Sequence, residues 1–337
     1  EILTGLADGS IGVAVGTHAL IQEGVDFASL SLAIVDEQHR FGVAQRLALR
    51  GKGDAIDMLV MTATPIPRSQ ALTLYGDLET SYLRERPAGR GPGHITTRVV
   101  PRSGREDAYA AVKAAVARGQ QAYVVCALVD ESDLTQAKAA TAEARRLQRQ
   151  VFSELRVGLL TGQMPPAEKT AVMDRFRSGA IDVLVATTVI EVGVDVPRAT
   201  VMIVEDAERF GLAQLHQLRG RVGRGEHPGE VLLFADPKTP EGRARMEAIT
   251  STEDGFALAD LDLRLRGEGE VLGDRQSGVP GLRLASLATD AVLLDEARED
   301  ARAIIDGDPD LSQTHHRPLR EDVERRVGAL WEWVSAG

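Results

Sequence analysis

The stretch LSLAIVDEQHRFG, residues 30–42, constrains the fold of this chain more than any other. An apolar run that closes on Asp36-Glu37 reads as a buried strand whose last side chains emerge at the carboxyl edge of a sheet, where α/β folds place their ligands. A second run, DMLVMTAT at 57–64, brings the hydroxyls of Thr62 and Thr64 to a strand tip, and Pro65 and Pro67 stop that strand and stiffen its exit. Strands go on alternating with helices along the chain, which is the pattern of parallel α/β units, and nothing repeats at a solenoid period.

The pattern predicts strands near 11–15, 31–36 and 57–62 in a first block, residues 1–85. The Gly/Pro-rich ERPAGRGPGH at 85–94 then reads as a linker, taken over 86–100. In a second block, 101–237, helices are expected near 104–118 and 133–153, with strands at 121–128, 156–160, 181–186, 200–205 and 230–234. Pro165-Pro166 opens a further helix that buries Val172, Met173 and Phe176 and ends at Gly179. Two helical stretches separated by Ser251-Thr252 fill 239–266, within a segment taken as 238–285. In the last segment, 286–337, Asp and Glu are abundant and the helices read as solvated. Leu319, Val323, Val327, Leu330 and Trp331 there follow helical spacing and are expected to form a docking face, with Trp331 and Trp333 as anchors.

Chemistry concentrates at the strand ends. Mg²⁺ keeps several waters and takes one or two protein carboxylates beside substrate phosphates, so Asp36 suits its water shell and leaves Glu37 to orient and activate an attacking water. An Asp-Glu pair alone reads equally well as an ordinary solvated strand end. The net charge of −11 excludes binding of nucleic acid through global basicity, so any such contact is local. Arg209, Arg219, Arg221 and Arg224 do cluster, and the last two stand three apart after Gly220 and Gly223, a spacing that puts both guanidinium groups on one helical face. The planar fork of arginine matches phosphate oxygens; a basic solvated face is the plainer alternative. The single Cys126 sits in the apolar run AYVVCALV and reads as a small buried hydrophobe, which suits a reducing cytoplasm. No apolar run reaches membrane-spanning length. His315-His316 lies without other ligand types nearby and does not read as a metal site.

DEQH and TAT resemble motifs II and III of the superfamily 2 helicases, and DEQHRFGV with MTATPIPR is similar in particular to the RecG family of branched-DNA helicases. VLVATTVIEVGVDVP at 183–197 resembles motif V, and QLHQLRGRVGRG at 214–225 resembles motif VI. The resemblance runs from about residue 11 to about residue 285. It implies tandem RecA-like (P-loop NTPase) lobes of α/β class, the first incomplete, followed by a helical hairpin and carboxyl-terminal helices. Arg221 and Arg224 would be arginine fingers toward the γ-phosphate of ATP, with Gln217 in the same motif. Thr187, Gly193 and Asp195 are the motif V residues, offering hydroxyls to a DNA phosphate and a carboxylate to the nucleotide sugar or the adjacent finger. Glu191 and His216 accompany these motifs. His39 would hydrogen-bond toward Thr62 and couple hydrolysis to movement, with Thr62 and Thr64 in motif III. Gly16-Thr17-His18 looks like motif Ib, in which Thr17 contacts DNA; a simple turn is the alternative reading. GEGEVLGDRQSG at 267–278, with the helices before it, resembles the translocation motif of RecG and the transcription-repair coupling translocase. Arg264, Arg266, Arg275 and Gln276 are its working polar groups.

No G-x-x-x-x-G-K-[ST] phosphate loop occurs in the sequence. The expectation is therefore the carboxyl-terminal part of a longer motor that uses ATP and Mg²⁺, acts on branched or forked double-stranded DNA, and is monomeric when complete. The rest of its own motor would be its partner. Two other readings stay open: the transcription-repair coupling translocase, and a non-catalytic fragment that binds DNA or the rest of its own motor.

Overall fold

In a computed structural model, residues 1–37, 48–49, 51–53, 56–63, 79–83, 85, 93–127, 133–188, 195–266 and 290–325 are described. They fall into two units: Glu1–Pro65 with Gly278–Pro280 and Ala297–Gly337, and Ile66–Ser277 with Gly281–Glu296.

In the first unit, α1 (Ile2–Ala7) precedes a parallel pair of strands, β1 (Leu32–Val35) and β2 (Asp57–Val60), in register from Leu32↔Asp57 to Val35↔Val60. Ala33 and Val35 are buried, whereas Leu32, Ile34, Leu59 and Met61 are each more than 40% exposed, so the apolar run is covered on one face only. Residues 11–15, expected as a strand, are not one: Val13 and Val15 stand out in solvent and no backbone ladder joins them to β1 or β2. Period-2 alternation makes a strand only where a neighbour accepts and donates the backbone hydrogen bonds.

The second unit is built on six parallel strands: β3 (Ile95–Val100), β4 (Gln121–Val125), β5 (Val157–Leu160), β6 (Val183–Ala186), β7 (Ala199–Val204) and β8 (Gly229–Phe234), in the order β3-β8-β7-β4-β6-β5. Residues 95–100, expected in the linker, form its edge strand, paired with β8 from Ile95↔Gly229 to Val100↔Phe234. β4, β6 and β7 are buried along their whole length because helices cover both faces, which is why they read as unbroken apolar runs. Alternate residues serve opposite cores. Ala122 and Val124 pack with α2 (Arg105–Ala117) and α3 (Asp133–Arg146), while Tyr123 and Val125 pack on the opposite face with Phe176 of α4 (Pro166–Arg177) and Leu215 of α5 (Leu212–Arg219). Gly179, just past α4, takes φ +83°, the left-handed stop that glycine supplies. Cys126 lies in the α2/α3 core, and burial, with the nearby carboxylates of Glu143 and Glu205, pushes its thiol up to about 12.

After β8 an antiparallel pair follows, α6 (Pro240–Ser251) and α7 (Gly255–Arg266), broken at Ser251-Thr252 as the sequence suggests. The Thr239 hydroxyl caps α6 by accepting from the Gly242 N–H at 3.1 Å, and Pro240 occupies its first turn. Next comes α8 (Ala291–Gly307), mostly exposed, and residues 317–325 are helical in turn. Of these, Leu319 and Val323 are more than 40% exposed; Val327, Leu330, Trp331 and Trp333 lie outside the described residues. No helix among the described residues is long and apolar enough to cross a membrane.

Candidate functional site

Asp36 and Glu37 follow β1 directly, at its carboxyl end, and the register of the pair brings Thr62, two residues beyond β2, level with Glu37. Asp36 is exposed and one of its carboxylate oxygens accepts the Glu37 N–H at 2.9 Å. Glu37 takes φ +53°, a left-handed conformation that costs a non-glycine residue on the order of 1–3 kcal/mol and is found where a site over-determines the backbone. The turn lets two consecutive carboxylates both leave the strand tip. Thr17 precedes the short 3₁₀ turn His18–Ile21 without capping it through its hydroxyl, and is exposed. His39 and Thr64 lie outside the described residues.

In the second unit topology sorts the motifs. β6 runs into Thr187, a buried residue whose N–H donates to the Leu160 carbonyl at 3.2 Å, so Thr187 stands at the carboxyl edge of the sheet. Asp195 lies just ahead of β7, back at the amino edge; Glu191 and Gly193, between them, lie outside the described residues. The two described motif V residues therefore serve opposite edges of one sheet.

Motif VI spans the same distance. α5 packs Leu212, Leu215 and Leu218 into the core and ends at Arg219, with Gln217 half-buried. Arg221 and Arg224 do not share a helical face, contrary to their spacing: they stand on the loop after α5, because Gly220 closes the helix and Gly223 turns the chain at φ +65°. A Cβ on Gly223 would meet the Gly229 nitrogen at 2.9 Å, and one on Gly225 the Pro197 carbonyl oxygen at 2.5 Å, so the loop runs flush against the starts of β7 and β8. Arg224 donates from Nε to the Gly220 carbonyl at 2.7 Å and its Nη1 stands 3.7 Å from Asp195 Oδ1. Burial raises the Tyr123 hydroxyl against the opposing pull of Arg221 and Arg224.

The four clustered arginines part company. Arg209 is exposed after β7, at the carboxyl edge. Arg219 is buried, and its Nη1 donates to the carbonyls of Ile249 (3.2 Å) and Thr252 (2.8 Å), satisfying the end of α6 instead of facing a ligand. At the other end of α5, the Leu212 N–H donates to Asp262 of α7 at 3.4 Å, a carboxylate at a helix N-terminus. α5 is thus bonded to the helical pair at both ends. Arg264 is exposed on α7; the side chain of Arg266, together with Arg275 and Gln276, lies outside the described residues.

Two polar clusters escaped sequence reasoning, the first because its members are far apart in the chain and the second because only the turn after α8 gathers its neighbours onto one carboxylate. Arg105 donates to both oxygens of Glu205 (2.7 and 3.3 Å) and lies 4.4 Å over the Phe234 ring; burial outweighs that guanidinium and raises the Glu205 carboxyl. Asp308, just past α8, accepts from Ser312 N–H (2.9 Å), Ser312 Oγ (3.0 Å), Gln313 N–H (3.0 Å) and His316 Nδ1 (2.8 Å). His316, which does not read as a metal ligand in the sequence, is here a partner of that carboxylate. No group of three or more potential metal ligands occurs among the described residues.

The chain is similar to known proteins along most of its length. Residues 107–226 match the helicase conserved C-terminal domain, and 252–333 match domain 3, C-terminal, of the ATP-dependent DNA helicase RecG. The chain is 50% identical over 330 residues to the ATP-dependent DNA helicase RecG of Synechocystis, covering 98% of this chain and 39% of that protein. It is 52% identical over 316 residues to that of Mycobacterium bovis, covering 89% and 42%. A solved structure of RecG bound to a three-way DNA junction superposes with a TM-score of 0.66 at 45% identity, over 87% of this chain and 37% of that one. The chain therefore spans well under half the length of these relatives, and what it shares with them is the carboxyl-terminal region of RecG helicases, the helicase C-terminal domain followed by the RecG domain 3 segment.

Proposed function

We propose that this chain works as the carboxyl-terminal region of an ATP-driven motor that moves on double-stranded DNA and remodels branched junctions and forks. The observation that carries this reading is the arginine loop: Arg224 is steered by Asp195 and the Gly220 carbonyl on a glycine-shaped turn at the amino edge of the sheet. α/β sheets hold their own nucleotides at the carboxyl edge, so arginines presented at the opposite edge suit a phosphate held by another lobe.

In this reading Asp36 and Glu37 belong to that other lobe. An exposed carboxylate with one oxygen engaged by a backbone N–H fits a magnesium ion that keeps its waters and substrate phosphates. Mg²⁺-ATP, when bound, supplies the transferable phosphoryl group and neutralises its charge. Glu37 orients the attacking water and takes its proton. Arg221 and Arg224 stabilise the charge that builds on the γ-phosphate, and Gln217 and Gly193 are further nucleotide-binding positions. Thr17 and Thr187 contact DNA phosphates; His39, Thr62 and Thr64 relay the nucleotide state; Arg264, Arg266, Arg275 and Gln276 act on the duplex from the helical pair and its loop. The compartment is the cytoplasm and the complete motor is a monomer.

The test is Glu37→Gln in the complete protein. Loss of a general base lowers turnover about 10²- to 10⁴-fold while nucleotide binding persists. Turnover within tenfold of the parent would overturn the assignment of Glu37.

A further inference from the structure

Residues 93–94, just ahead of β3, are tied to two other parts of the second unit. The His94 ring stands with Nε2 2.9 Å from the Gly223 carbonyl oxygen; a carbonyl only accepts, so Nε2 carries the proton and donates. Gly223 lies between Arg221 and Arg224 at the positive-φ turn of the loop, where no side chain of its own can brace it. The ring is presented from a fixed backbone, because the His94 carbonyl accepts the Gly229 N–H at 2.9 Å where β8 begins. Next to it the Gly93 N–H donates to Glu253 Oε1 at 2.9 Å, in the turn between α6 and α7. Tyr82, further back in the same connecting segment, meets Phe256 of α7 edge-on with ring centroids 5.5 Å apart. Arg219 grips that turn from the other side, through the Ile249 and Thr252 carbonyls.

We propose that His94 is a positioning residue for the arginine loop, holding Gly223 so that Arg221 and Arg224 keep their aim, and that Gly93 and Glu253 register this anchor against the helical pair. The inference rests on the reading of Arg221 and Arg224 as phosphate-facing residues, but the anchoring is measurable without it. A ring N–H on the Gly223 carbonyl stiffens a loop whose glycines otherwise leave it loose. Because the anchor lies just ahead of β3 and not in motif VI, a displacement of residues 93–94 reaches the arginines without passing through α5.

Two measurements decide it. In the 337-residue chain, hydrogen exchange of the amides at 220–225 is expected to quicken about five- to tenfold in His94→Ala, the loss of one hydrogen bond to local opening, and to return to within about twofold of the parent in His94→Gln, which keeps an N–H donor at similar reach. In the complete protein, His94→Ala is expected to lower kcat for DNA-stimulated ATP hydrolysis about tenfold with the KM for ATP nearly unchanged, the mark of an interaction used in the transition state, and His94→Gln to restore it. A variant weakened only in folding would lower the melting temperature without that split. Equal exchange in parent and His94→Ala, or equal loss in the Ala and Gln variants, would refute the anchor. If exchange responds as expected and the parent has no DNA-stimulated turnover, the anchor stands and the phosphate-facing reading of the arginines falls.

Discussion

Arg219 and Arg224 are the same residue type five positions apart, and the structure assigns them opposite consequences on substitution. Arg219 is 4% exposed and donates from one guanidinium nitrogen to two carbonyls at the end of α6, at 3.2 and 2.8 Å. Hydrogen bonds to a charged donor contribute about 1.5–3 kcal/mol each, and truncation also strips a buried aliphatic stem from the core. Part of the loss is regained as water reaches the freed carbonyls, so Arg219→Ala is expected to cost about 3 kcal/mol, a fall in melting temperature of roughly 6–12 °C for a unit of this size. Arg219→Lys, a point charge without the planar fork, recovers about half of that. Arg224, by contrast, holds a partly exposed carboxylate at 3.7 Å and a local carbonyl, contacts worth at most about 1 kcal/mol. Arg224→Ala is expected to leave the melting temperature of this chain within about 3 °C of the parent, yet to lower ATP turnover of the complete protein by about 10³- to 10⁵-fold. Circular dichroism melts of the chain, with hydrogen exchange at residues 249–254 to localise the effect, provide the stability half; steady-state phosphate release provides the other. Arg219→Ala melting with the parent, or Arg224→Ala melting as early as Arg219→Ala, would refute the division of labour.

Three further outcomes are expected. The isolated chain, whose sequence contains no phosphate loop to cradle and place the β- and γ-phosphates, is expected to show no DNA-stimulated ATPase even with excess magnesium; phosphate release abolished by Glu37→Gln would show the nucleotide site to be misplaced. Affinity of the complete protein for branched DNA is expected to fall with salt at a slope of about −0.9 per phosphate neutralised, and Arg275→Ala to make the slope shallower by roughly one; an unchanged slope in the variant removes Arg275 from the binding surface. At Asp308 burial works to raise the carboxyl, but the N–H groups of Gln313 and Ser312, the Ser312 hydroxyl and the His316 ring outweigh it and hold it below the usual carboxylate range. A lowered carboxyl stabilises the fold above its unfolded pKa, near 3.8, and loses that contribution as pH falls through the folded value. The gap in melting temperature between parent and Asp308→Asn should therefore narrow from about pH 6 to about pH 3; a constant gap would count against the network.

Much of the local architecture could be read directly, because its causes are local. Pro165-Pro166 and Gly179 bracket α4 through fixed φ and a left-handed stop, Ser251-Thr252 separates α6 from α7, and the unbroken apolar run around Tyr123 marks a strand covered on both faces. The Asp36-Glu37 pair sits at a strand end for the same reason: the period of the run ends there. What the pattern left undecided depends on partners that are distant in the chain. ITTRVV at 95–100, hidden behind a Gly/Pro-rich stretch, becomes a strand only because β8 arrives much later to pair with it, while 11–15 has a strand's alternation and no partner strand among the described residues. Arginine at 219, 221 and 224 carries one charge and one shape, and only the placement of α6, Asp195 and the two glycine turns decides which caps a helix end and which stands on the loop beside Asp195. Thr187 and Asp195, neighbours in a single motif, end on opposite edges of the sheet because parallel strands oblige the chain to return between them, and that separation is a property of the topology.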